Sequence, residues 1–435
     1  MFAVKSTKLD SGLNLLIVPM GSVKSLTSLL LVNTGSRYEQ EGEYGMAHLL
    51  EHLVFRGTKQ FPDSMSLSVA LDSIGASSNA FTAKEYTGFY VTATSTYLSF
   101  SLQVLKELVM HPLLKRADLI QEKKVVIEEI KMHRDSPEDF LADEFEKMVY
   151  RHSSLAHPIA GTTASVKKLT IQGIQRFLRR WYGLSNLILV LAGDRQVLAN
   201  HDIPQLVEKV FAQESKRELL PGDYKYYAED YLPNADHQQR RKLYLSDNPI
   251  SSNRQLLHSK KVEQTYVALG WPTLRRGDKR RHALSLLSTI LGGNRSSRLF
   301  QLVREQANLA YYVYADLDQY HDGGLLGVSA GLNKRLANKG IELIINECKA
   351  LATHRKPVGE QELQRAKDYL TGRIMLGLES SRSVAQHYGL THLLFGEYED
   401  PQQMIKNLNR VEIAEIEALA EQIIQPDALR LAKVE

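Results

Sequence analysis

Gly45-Met46-Ala47-His48-Leu49-Leu50-Glu51-His52-Leu53-Val54-Phe55-Arg56-Gly57 is the stretch from which the rest of the chain can be ordered. It reads as one short helix, opening beside Gly45 and stopping at Gly57, small or apolar except at His48, Glu51, His52 and Arg56. Two short aliphatic strands precede it, at 13–18 and 26–32, each closed by Pro or Asn. After it come a helix at 64–74, a strand pair at 79–82 and 86–93, a long helix at 98–109 and a helix from 118 to about 133. An apolar strand at 187–193 and a helix to about 213 close this half.

Gly57 has a counterpart in Gly293. A second helix, 280–291, runs into Gly292-Gly293. Before it lies a strand at 265–271, and after it a helix at 298–305, strands at 311–315 and 324–330, a long helix at 338–354 and another at 359–376. The order of elements repeats that of the first half. The expected fold is therefore α+β: two homologous domains, each a mainly antiparallel sheet covered by helices on one side. The first domain is expected over 1–213 and the second over 250–435. Between them 214–249, rich in Lys, Arg, Asp, Asn and Tyr, reads as a linker. Matching the two glycines sets Leu284, Leu287 and Ser288 opposite His48, Glu51 and His52, so the chemistry of the first helix is not repeated in the second half.

Residues four apart on a helix share a face, so His48 and His52 can grip one metal ion together. Glu51 then lies beside the ion rather than behind it, where a carboxylate can take a proton from metal-activated water. A plain helix with partly exposed histidines is the bland alternative. The small and apolar neighbours argue against it, because they bury the helix, and two histidines and a glutamate there need a reason. A third ligand must come from elsewhere, and 122–129 offers one. Glu122 and Glu129 are seven apart, about 20° short of two turns, and share a face, while Glu128 is offset by about 100°. One of the two serves as ligand and the other as an orienting neighbour, unless the segment is an ordinary charged helix.

The bulk composition excludes other classes. With 54 basic and 50 acidic residues, the net charge of +4 is too balanced for a nucleic-acid or anionic-membrane protein. Cys348 is the only cysteine, so neither an intrachain disulfide nor a cysteine-rich metal site can form. No apolar run reaches the roughly 18 residues of a membrane span. The first residues carry neither an apolar signal core nor an Arg/Ser-rich lead, so with Met1 as the natural start a cytoplasmic protein is expected.

The segment 45–58, with its H-x-x-E-H order, resembles the active-site helix of the pitrilysin/insulinase (inverzincin) zinc metallopeptidase family. The resemblance is closest to the bacterial processing-protease and mitochondrial processing peptidase β-subunit branch, and it covers nearly the whole chain. Segment 122–129 resembles the family's second motif. That implies Glu129 as third zinc ligand beside His48 and His52, one zinc per chain, and Glu122 as auxiliary acid. Asn79-Ala80-Phe81-Thr82 resembles the segment that lines the substrate cleft on an edge strand. Arg304 and Tyr311 resemble an Arg…Tyr pair that the second domain supplies to that cleft. The resemblance thus implies a zinc metalloendopeptidase acting on peptides or unfolded polypeptide, with Glu51 as general base. Tyr311 would stabilise the oxyanion and Arg304 would bind substrate backbone. The alternative is a non-proteolytic scaffold subunit of a related complex. Because four such domains enclose the substrate in that family, a homodimer is expected, or a heterodimer with an inactive paralogue.

Overall fold

A computed structural model of the chain describes residues 2–21, 23–151, 153–200, 202–212 and 255–435. The expected linker, 214–249, lies outside the described residues. The chain forms two compact units. One takes in the residues up to Lys131, the described part of the stretch that begins at His157, and Leu376–Asp400. The other takes in Met132–Ala156, the described part of the stretch that ends at Met375, and Pro401–Glu435.

The first unit is built on a sheet of β1 (Lys5–Lys8), β2 (Asn14–Met20), β3 (Ser25–Val32), β4 (Ser77–Thr82), β5 (Thr87–Thr94) and β6 (Leu187–Asp194). Their spatial order is β1-β2-β6-β3-β5-β4, and only β2 and β6 run parallel. The central strands are apolar almost without alternation, as strands covered on both faces are. Leu15, Ile17, Leu30, Leu189 and Leu191 point into a core shared with α1 (Met46–Val54), α2 (Ser64–Asp72), α3 (Leu98–Met110) and α4 (Arg116–Asp135). Leu16, Val18, Leu29, Leu31 and Val190 point the other way, onto Val384, Ala385 and Tyr388 of the helix Ser381–Phe395.

The second unit repeats this plan. β7 (Gln255–His258), β8 (Gln264–Thr273), β9 (Ala310–Gln319), β10 (Gly324–Asn333) and β11 (Arg430–Val434) lie in the order β7-β11-β8-β10-β9. β11 sits between a parallel β7 and an antiparallel β8, as β6 sits between β2 and β3. Helices Arg281–Gly292, Ala337–Ala352 and Ile413–Ile423 pack on one face. On the other, Leu141 and Phe145 of α5 (Pro137–Val149) meet Ala268, Leu325, Ala432 and Val434. Most helices therefore cover one face of each sheet, and each second face receives one further helix from the other half of the sequence.

Two local features place the site in the first unit. α1 leans on β4, the strand at the sheet edge. The residues after α1 are then tied to those after α3 by the bridge Thr58↔Pro112 and by Leu113 N–H donating to Gly57 O, which sets α4 going at Arg116.

Candidate metal centre

His48 and His52 project from the same side of α1 with ring centroids 4.7 Å apart. Glu129, on α4, faces both: His48 Nε2 lies 3.7 Å from one carboxylate oxygen and His52 Nε2 lies 3.7 Å from the other. Among the described residues these three form one group whose ligand atoms all lie within 4.8 Å of one another. Zinc bonds of about 2.0–2.1 Å at a tetrahedral angle would set neighbouring ligand atoms about 3.4 Å apart. The two histidine–Glu129 separations of 3.7 Å are near that value and too long for direct hydrogen bonds. Two imidazole nitrogens and one carboxylate oxygen also suit that ion chemically, so the residues present fit it.

Behind the ligands stands a second layer. His52 Nδ1–H donates to Glu122 Oε2 at 3.1 Å, which leaves Nε2 as the lone-pair atom facing Glu129. Arg56 closes on the other oxygen of Glu122 through Nε and Nη2. Burial alone would raise the Glu122 carboxyl, but hydrogen bonds from His52 and Arg56 hold it below the ordinary carboxylate range. The same Glu122 contact raises the His52 pKa, against burial. Glu128 takes no part: it is exposed and pairs with Lys131 at 2.7 Å.

Glu51 sits beside the ligand set. Thr82, the last residue of β4, donates its hydroxyl to Glu51 Oε2 at 2.5 Å. Burial is the main reason its carboxyl is pushed above the ordinary range, with the Thr82 hydrogen bond opposing. Arg56 has no role in the motifs above, and Thr82 enters them only as the end of the segment 79–82. Arg56 did carry a signal, standing four residues beyond His52.

The strand residues divide between the two faces of β4. Ala80 is buried in the core under α1, whereas Asn79 spends its side-chain oxygen on the N–H of Ala80. Phe81 lies on the opposite face, its ring over Gly88 on β5, where an added Cβ would come within 2.2 Å of it. Since β4 is at the end of the strand order, one backbone edge is without a strand neighbour among the described residues.

In the second unit Arg304 lies on a π-helix, Phe300–Gln306, where an ordinary helix was expected. Its guanidinium stacks on the Phe300 ring at 4.9 Å. Tyr311 stands on the edge strand β9 and is 67% exposed. Between them Asn308 takes a left-handed φ of 51°, a conformation Asn tolerates better than most residues. Leu284 and Leu287 are buried in the core of this unit, and Ser288 is also buried.

A family model described as insulinase (peptidase family M16) matches residues 21–163, and one described as the peptidase M16 inactive domain matches 168–370. The chain belongs to the insulinase (M16) peptidase family. Several relatives carry the words "uncharacterized zinc protease", the next two among them. SCO5738 of Streptomyces coelicolor is 33% identical over 421 residues, 97% of this chain and 87% of its own. YmxG of Bacillus subtilis is 30% identical over 425 residues, 98% of this chain and 96% of its own. A solved protease from Helicobacter pylori shares the fold with a TM-score of 0.84 at 22% identity, each chain covered in full. In this insulinase-family chain the residues at the motif positions of the second half are core or small side chains, in keeping with the description of that half as inactive. No helix among its described residues is long and apolar enough to cross a membrane.

Proposed function

We propose that this family member is a zinc-dependent metalloendopeptidase that cleaves peptides or unfolded polypeptide segments. The observation that carries the reading is the meeting of His48, His52 and Glu129 from two helices, with Glu51 beside them on β4's Thr82 rather than among them. His48, His52 and Glu129 hold the ion, while Glu122 and Arg56 fix the His52 ring. When bound, zinc supplies Lewis acidity, polarising a peptide carbonyl and making water more acidic. Glu51 takes the proton of the attacking water at its carboxylate and delivers it to the leaving amine nitrogen. An extended substrate adds to the open edge of β4 near Asn79, Ala80 and Phe81 through backbone hydrogen bonds, which demand little of its sequence. Tyr311 stabilises the oxyanion and Arg304 binds substrate backbone. These two belong to the second unit, and the reading includes a homodimer in the cytoplasm in which each chain's pair serves its partner's zinc.

The test is metal analysis beside cleavage of a quenched, unstructured peptide. The expected result is one zinc per chain, with cleavage that a chelator abolishes and zinc restores. Stoichiometric zinc without cleavage, alone and with any co-purifying partner, would instead support a scaffold subunit.

A further inference from the structure

α1 is only nine residues long, and His48 is its third residue. A histidine in the first turn is held only as firmly as that turn, which is where helices fray. Four N–H groups, those of Gly45, Met46, Ala47 and His48, precede the first bond of the helix's own ladder, Leu49 N–H to Gly45 O. Gly45, at the N-cap with φ 92°, has no side chain to offer them.

Residues upstream take their place. Glu39 Oε2 accepts from Gly45 N–H at 2.8 Å and Glu39 Oε1 accepts from Ala47 N–H at 2.7 Å. Glu43 O accepts from Met46 N–H at 2.8 Å. Glu39 is 5% exposed; burial pushes its carboxyl well above the ordinary range while the N–H groups of Ala47 and Gly45 pull it down, and its two oxygens bridge the positive end of the helix away from water.

The loop that brings Glu39 there is itself tied to the β4–β5 hairpin. Ser36 N–H donates to Ala83 O and Arg37 N–H to Lys84 O, and buried Arg37 pairs with Glu85 at 2.6 Å. The approach is so close that a Cβ on Gly35 would lie 2.1 Å from Ala83 O. That hairpin also carries Thr82, the partner of Glu51. One connected structure therefore runs from Thr82 through the turn to Glu39 and on to the first turn of α1.

We propose that Glu39 is a positioning residue for the metal site: its carboxylate, bridging the N–H groups of Gly45 and Ala47, fixes the first turn of α1 and with it the aim of His48. This rests on the reading of His48 as a metal ligand.

The test compares zinc dissociation constants, by competition with a chelator, and thermal midpoints of the metal-free proteins. Glu39→Gln turns one acceptor oxygen into a donor. Asp63→Ala is the matched control, because it removes the side-chain cap of α2, where Asp63 Oδ1 accepts from Ser66 N–H, and touches no ligand. The expected result is zinc binding weakened about 10–100-fold in Glu39→Gln, as for other residues behind metal ligands. Asp63→Ala should bind zinc as the wild type does, whatever its midpoint. If Glu39→Gln fails to fold, Glu39→Asp carries the test, since it keeps the carboxyl group but is one methylene too short to span both N–H groups. Wild-type zinc affinity in the folded variant would reduce Glu39 to a helix cap and overturn the proposal. So would equal weakening in Asp63→Ala, which would mean general destabilisation. His48→Ala is measured alongside: unchanged zinc affinity there overturns the ligand assignment itself, and the proposal with it.

Discussion

Glu128 and Glu129 are chemically identical neighbours, and their one-residue difference decides which meets the histidines. Glu129 lies 3.7 Å from both His48 and His52, while Glu128 turns to Lys131. Glu129→Gln should weaken zinc binding strongly, whereas Glu128→Gln should leave it unchanged, as metal analysis after chelator competition would show. The reverse result would place the ligand one residue away. Arg56 makes a second case. Without it, Glu122 loses its charged partner and keeps only the hydrogen bond from His52 in a buried site, and the His52 ring loses its brace. Arg56→Ala should lower zinc affinity by about tenfold while all three ligands stay in place; an unchanged affinity would show that Glu122 needs no such support. His48, Glu51 and His52 were legible in the sequence because a helix converts spacing into direction. Arg56 and Thr82 were not, because their partners come from α4 and α1, and no local period announces a tertiary contact.

The elements show the same division. Much of the order of strands and helices could be read from apolar runs and glycine stops, though not β7, β11 or the helices after residue 376, and the shared strand order of the two sheets bears out the repeat. The helices on the second faces could not be assigned this way, since Ser381–Phe395 and α5 each serve a sheet distant in sequence. One signal was present: β2, β3 and β6 are apolar on both sides, which a sheet covered on one face alone does not need. Period alone also cannot separate seven residues of π-helix from α-helix, so Phe300–Gln306 was read as ordinary. Gly389 tests the packing of Ser381–Phe395. An added Cβ there would stand 2.8 Å from both Leu31 Cδ1 and Val190 Cγ2. Gly389→Leu should cost about 1–3 kcal/mol by overpacking. In urea titrations this would appear as a lower midpoint at unchanged slope, with zinc affinity retained because the ligands lie across the sheet. A wild-type midpoint would mean that the helix is not seated there.

At the scale of the molecule, the two units carry different parts of the proposed chemistry: ligands and base in the first, Arg304 and Tyr311 in the second. If those parts meet between chains, two inactive variants should complement each other. In a mixed dimer of Glu51→Gln and Tyr311→Phe, one site carries both lesions and the other carries neither, so activity should reappear on mixing. No recovery despite demonstrated subunit exchange would mean that Tyr311 serves its own chain or plays no part. Beneath this lies the claim that Glu51 moves the proton while His48, His52 and Glu129 hold the metal. Its most direct test is the rate at which zinc-loaded Glu51→Gln cleaves an unstructured quenched peptide, with metal content measured on the same sample. The expected result is a full complement of zinc and almost no cleavage; cleavage at the wild-type rate would show that Glu51 does not move the proton.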